Sequence, residues 1–334
     1  MRLRTIARVA ACALALACGS SETPSDSTDD SDSTEPTESV AFEACSSPLL
    51  AGISVDGLQM PMADSNAWIR LNASSRNALT DSVVAAVAGD AESATASAVD
   101  AGYTLCEDSD LLGWLPSGAG QAVAVLRVDG AAIQLESPHP VFDSDTLDEA
   151  LAIFERLEGR VLLTSGTHRC ASDEASECSG SSSVCTGASE DYRQSDQAHV
   201  VDTAFHALHV ALSAAFPADR VVSVHGMSAD GASLSNGTTD AVAADSPVAT
   251  LAAALSSEFA GHEITTCNDY AGANVDERLC GTTNVQGRHL NDVVDACGTS
   301  ATTASGRFIH LEQSRELRDS PNRVASALQS ILSE

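Results

Sequence analysis

The stretch Arg220-Val221-Val222-Ser223-Val224-His225-Gly226 decides how this chain reads. Its β-branched run predicts a buried strand over Arg220 to Val224, halted at an imidazole. On either side, Ala198 to Phe216 and Val248 to Phe259 carry apolar residues at helical spacing. Arg160 to Thr164 is a strand before the first of these helices, and Glu263 to Thr266 one after the second. Further upstream a helix runs from about Thr146 to Leu157, with Ser144 or Asp145 as candidate N-cap and acids in its first turn. Downstream, Arg307 to Leu311 is a last strand and Ser320 to Leu332 a closing helix. This alternation predicts an α/β fold, a mostly parallel (mixed) doubly wound sheet with helices on both faces.

Outside that span the pattern weakens. Ala122 to Val128 and Ala131 to Leu135 flank Asp129-Gly130, a hairpin signal. Residues 42–118 form a poorly defined N-terminal extension ahead of a core at 119–334. Within it Asn77 to Ala101 is helical and the rest irregular. Two long loops, to about Ser195 and over Asn268 to Ser305, are of a size that usually carries function.

The N-terminus reads as targeting sequence. Arg2, Arg4 and Arg8 precede a short apolar stretch, which predicts a signal peptide over 1–17. Leu14-Ala15-Leu16-Ala17-Cys18 resembles a bacterial lipobox, with Cys18 as the lipidated residue. A disordered acidic linker fills the rest of 18–41, and the domain follows over 42–334. The chain is therefore expected in the bacterial cell envelope, exported and touching membrane only through a lipid anchor. All 17 basic residues are Arg, against 47 acidic ones and a net charge of −30. Such a surface excludes nucleic acid as a partner. A monomer acting on a small-molecule or peptide substrate is expected. Past Cys18 an even set of eight Cys predicts disulfides, with Cys45 and Cys106 clipping the N-terminal part and the other six bracing the two long loops.

Three strand ends carry ionisable groups: His139 and Asp143 in Ser137-Pro138-His139-Pro140-Val141-Phe142-Asp143, His225, and Glu312 in Phe308-Ile309-His310-Leu311-Glu312. Prolines stiffen the loop around His139. Two imidazoles, a carboxylate and a further carboxylate form the inventory of a catalytic Zn2+ site with its base. Arg169, after His168 in Gly166-Thr167-His168-Arg169, could polarise a carbonyl or instead support the cysteine loop. His199, Asp202, His206 and His209 fall on one predicted helical stripe. There a second metal is possible, but packing or substrate-aligning histidines are the simpler reading.

These segments resemble, in order and local context, the N-formylglutamate amidohydrolases and, more distantly, the zinc carboxypeptidases. The likeness spans Leu135 to about Arg318. Ser137-Pro138-His139 is similar to the family's Pro-His-x-Gly segment, Ser223-Val224-His225-Gly226 to its Asp-x-His-Ser, and His310-Leu311-Glu312-Gln313-Ser314-Arg315 to its Gln-x-Glu-x-x-Arg. The resemblance implies a phosphorylase/hydrolase-like fold, with His139, Asp143 and His225 as zinc ligands and Glu312 as general base. Arg169 is expected at the oxyanion, and Arg288, in a loop near the family's substrate-binding segment, is expected with Asn284 and His168 on a substrate carboxylate. Ser223 departs from the family's acid and Gly226 from its serine, which keeps a non-catalytic surface lipoprotein, binding a ligand or metal, as the alternative class.

Overall fold

The computed structural model describes residues 41–332. The predicted signal peptide, Cys18 and the linker up to Val40 lie outside the described residues. Two helices open the described chain, α1 (Ala73–Val87) and α2 (Ala91–Ala101), capped by the side chains of Asn72 and Asp90. Strands β1 (Tyr103–Asp108), β2 (Leu111–Pro116), β3 (Val123–Arg127) and β4 (Ala131–Ser137) follow, then α3 (Thr146–Leu157) and β5 (Gly159–Thr164). Two short strands, β6 (Ser181–Ser182) and β7 (Glu190–Asp191), sit in the first long loop. Next come α4 (Ala204–Ala215), β8 (Arg220–Gly226), β9 (Ala232–Ser235), α5 (Pro247–Glu258) and β10 (Ile264–Thr266). The chain closes with α6 (Val285–Leu290), β11 (Phe308–Gln313), α7 (Arg315–Arg318) and α8 (Pro321–Leu328).

Nine strands make one sheet in the order β1-β2-β3-β5-β4-β8-β11-β9-β10. Its centre, β5-β4-β8-β11, is parallel throughout, and β1, β2 and β3 extend it in antiparallel fashion. Apolar side chains of α3, α5 and α8 pack one face; those of α1, α2 and α4 pack the other. The α/β, mixed, doubly wound fold is therefore the one observed. On α3 the buried residues Leu147, Ala150, Ile153 and Phe154 form one stripe. Each such apolar side chain taken fully from water stabilises the fold by about 1.5–3 kcal/mol.

Several local expectations change. Asp129-Gly130 does not close a hairpin: β3 pairs with β5, and β5 separates β3 from β4. Gly130 is what permits this, because a Cβ there would lie 2.7 Å from the Arg160 Cα and the Gly159 carbonyl. Residues 42–118 are not all irregular outside the helices. They supply β1 and β2, joined by a turn in which Ser109 takes φ 61° where the usual signal would be glycine. Asp145 occupies the N-cap of α3 without a side-chain cap; the Thr146 hydroxyl donates to the Asp143 carbonyl instead. The second long loop contains α6. Helix α4 begins only after Thr203, whose hydroxyl accepts from the His206 amide, so His199 and Asp202 are off the helix and the four-residue stripe does not form.

Disulfides Cys45–Cys106, Cys170–Cys185, Cys178–Cys297 and Cys267–Cys280 use all eight cysteines past Cys18. The first clips the N-terminal part and the others brace the loops, as expected. Four disulfides suit an oxidising compartment outside the cytosol. Among the described residues no helix is long and apolar enough to cross a membrane.

Candidate functional site

The strand order reverses between β4 and β8. From β4 the chain passes through α3 to β5 on one side; from β5 it passes through α4, on the opposite face, to β8 on the other. Open α/β sheets bind ligands in the crevice at such a point, beyond the strand C-termini. His139 follows β4 and His225 closes β8, so both stand at this crevice. Asp143 reaches the same spot because a helical turn, with its amide donating to the His139 carbonyl, folds it back.

Nδ1 of His225 lies 3.2 Å and Nδ1 of His139 3.4 Å from Asp143 Oδ2. All three side chains are buried, and their ligating atoms lie within 4.8 Å of one another, so they could hold a metal ion. The opposite ring nitrogens support this use. His139 Nε2 is 2.8 Å from Asp196 Oδ1, and His225 Nε2 is 3.0 Å from the Ser223 hydroxyl. An outer carboxylate or hydroxyl on one nitrogen fixes the ring and leaves the other free toward the ion. Ser223 thus fills the outer position on His225.

Glu312 pairs with His225 in the β8–β11 register, and His310 with Ser223. His310 packs on His225 with ring centroids 4.4 Å apart, and its Nε2 is 3.9 Å from Glu312 Oε1. His225, His310 and Glu312 are a second trio whose atoms could hold an ion. Burial lowers His225 to about 4, so it is neutral at neutral pH and free to ligate. Burial and then the His225 charge hold His310 well below the usual imidazole range. Burial pushes the Glu312 carboxyl well up, and Asp143 adds to it. Burial alone would raise Asp143, but hydrogen bonds from His139 and His225 hold it well below the carboxylate range. For His139 burial pulls down and Arg169 with it, yet Asp196 and Asp143 outweigh both and the imidazole is raised.

Arg169 belongs to this assembly. Its Nε and Nη2 donate to Asp196 Oδ2 at 3.0 and 2.6 Å, while Nη1 stands 3.5 Å from His139 Nδ1. His168 is beside it, with Nδ1 accepting from the Cys170 amide and its ring edge on Phe142. Arg288 and Asn284 are not brought to the cluster. Arg288 donates to the carbonyls of Thr282, Ala296 and Cys297 and to Ser300, which makes it a brace of the second loop. Asn284 caps α6 through the Gly287 amide.

Sequence reasoning missed Asp196 and His310, and put His199 on the α4 stripe, away from this cluster. Asp196 is fully enclosed by His139, Arg169 and His199, the last at 2.8 Å, and Tyr192 stacks on the His199 ring at 3.9 Å. No local pattern marks a carboxylate inside a cysteine-rich loop. His310 did have a signal, since residues two apart on a strand share a face. His206 and His209 are buried elsewhere: His209 Nδ1 meets Glu136 Oε1 at 2.6 Å, and both rings lie near His289.

No family model matches the chain, and no curated protein matches it. A crystal structure from Shewanella amazonensis, described as a "putative metallopeptidase", is 12% identical, with 77% of this chain and 92% of that one covered and a TM-score of 0.31. A likeness that slight carries no argument for fold or function.

Proposed function

We propose that the chain is a zinc-dependent hydrolase, exported and lipid-anchored through Cys18, that cleaves an amide or peptide-like bond in a small carboxylate-bearing compound. The observation carrying this reading is the convergence of His139, Asp143 and His225 with Glu312 across the strand pair. Two nitrogens and one carboxylate with an open side suit a catalytic rather than a structural zinc. Bound there, zinc would supply Lewis acidity for the scissile carbonyl, acidify water and set positive charge beside Glu312.

The chain's own groups then divide the work. Glu312 accepts a proton from the attacking water and returns it to the leaving nitrogen. Arg169, anchored by Asp196 on two donors, turns Nη1 toward the cluster, where it would stabilise negative charge developing on the carbonyl oxygen. Asp196 and Ser223 hold the two imidazoles in register. Zinc analysis of the purified protein, with a screen of N-acyl amino acids and short peptides, tests the reading. About one zinc and turnover support it; absence of both removes it.

A further inference from the structure

The cleft beside the cluster has a volume of about 900 Å3 and reaches Asp143 and Gly226. Three large apolar side chains line it: Phe142, Met227 and Leu279. Each stands next to the site. Phe142 precedes Asp143, and the Arg169 guanidinium lies 5.3 Å over its ring. Met227 follows the end of β8, with its amide donating to the Gln313 carbonyl. Leu279 is two residues from Gly281, where a Cβ would lie 2.6 Å from the His310 ring. That glycine therefore backs the imidazole that packs on His225.

Leu279 is unfavourable twice over. Its backbone takes φ 58°, which bulky residues rarely adopt, and its side chain is 51% exposed. A loose loop does not account for this. The Ser233 hydroxyl donates to the Arg278 carbonyl at 3.2 Å and the Ser235 hydroxyl to the Cys280 carbonyl, while Cys280 is bridged to Cys267. The backbone on both sides of Leu279 is thus pinned to β9, and the leucine is held out into the cleft. Charged groups around it are mostly matched within the protein. Arg278 Nε donates to Asp276 at 2.6 Å, Arg315 pairs with Asp145 at 3.0 Å, and Asp230 meets His262 at 2.8 Å. Of the acids lining the cleft, Glu263 alone makes no ion pair among the described residues. The apolar surface beside the cluster, by contrast, gains by being covered.

We propose that Leu279, with Phe142 and Met227, sets specificity by receiving a large apolar side chain of the substrate beside the scissile bond. The compounds cleaved then carry a leucine- or phenylalanine-like group there, and not a charged or a minimal one. This rests on the hydrolase reading above and narrows it. A bound side chain takes Leu279 out of water, and the strained backbone persists because it aims that leucine at the ligand.

The test is titration calorimetry on the full chain as purified, with N-methanesulfonyl derivatives of leucine, glycine and lysine. All three present the same carboxylate, and amide hydrolysis does not cleave a sulfonamide. The leucine derivative should bind roughly 10- to 100-fold tighter than the glycine one, the worth of burying one such side chain. It should also bind tighter than the lysine one. Leu279→Asn should bring leucine and glycine to within about threefold of each other. Its Tm should be no lower than native, because asparagine tolerates the left-handed backbone better than leucine does. Val275→Thr, exposed on the same loop but outside the cleft lining, should keep the native ratio. Should Leu279→Asn fail to fold, Leu279→Ala takes its place, and its ratio should fall clearly below the native one. No leucine preference in the native protein, or a ratio unaltered in the Leu279 variant, overturns the assignment. So does tightest binding of lysine, which would give the role to Glu263. No turnover enters the measurement. Leucine preference without hydrolysis therefore removes the enzyme reading alone, and hydrolysis without the preference removes only the role of Leu279.

Discussion

Glu312 stands directly across from His225 in the parallel pairing of β8 and β11, and both side chains rise from one face of the sheet. The register alone sets the carboxylate beside an imidazole of the candidate metal cluster. Glu312→Gln, nearly isosteric, should therefore keep zinc and fold while lowering turnover by about 10²–10⁴-fold. Metal content and steady-state kinetics on the same sample check this. Loss of zinc would make Glu312 a ligand, and normal turnover would end its role as base.

Asp196 holds the far nitrogen of His139 at 2.8 Å. Asp196→Asn should weaken zinc binding by about 10- to 100-fold, the usual cost of removing an outer partner. Competition against a chelator of known affinity reads the change. His225→Ala should abolish binding outright, and a variant still carrying one zinc would move the site elsewhere.

Zinc and a proton compete for His139. Burial lowers its affinity for the proton, but Asp196 and Asp143 more than restore it, so the metal-free imidazole titrates above its ordinary 6.5. Zinc affinity should therefore fall as the pH drops through neutrality, by roughly one log unit per pH unit. His225, at about 4, adds nothing until far lower. In the metal-free protein the raised value also stabilises the fold below about pH 6.5, and that share is lost as the pH rises through the folded-state value. Binding isotherms between pH 5 and 8 check the slope; a flat profile would contradict the shift.

Under non-reducing conditions, mass analysis should find no free thiol among the eight cysteines past Cys18. Replacing Cys178 and Cys297 together by Ser should lower stability by about 2–5 kcal/mol, because that bridge spans 119 residues and joins the two long loops. Thermal unfolding of the double variant measures it. A loss under about 1 kcal/mol would mean that the loops are held by their other contacts.

The central layout was legible because its signals are local and redundant. The buried runs of β5, β8 and β11 and the stripe of α3 each name their element. What escaped notice needed tertiary information. Asp129-Gly130 has the composition of a hairpin, yet the partner of β3 is a strand from beyond α3. β1 and β2 turn through Ser109 and so lack the glycine that would announce them. At the site, His139, Asp143, His225 and Glu312 were readable as strand-end residues. Asp196 was not, since the disulfide-braced loop alone determines that it arrives. Arg288 looked like a clamp by its place in a loop, and only its four internal acceptors show otherwise.

The strand order also constrains how the chain can reach this structure. β3 and β4 are separated by only three residues, so they meet early, and antiparallel closure of that pair costs little chain entropy. In the finished sheet β5 lies between them. Any early β3–β4 hairpin must therefore open again before β5 can enter, which makes the fastest local contact an obstacle. The crevice that holds His139 and His225 takes shape only after this exchange, from contacts distant in sequence and correspondingly slow to form.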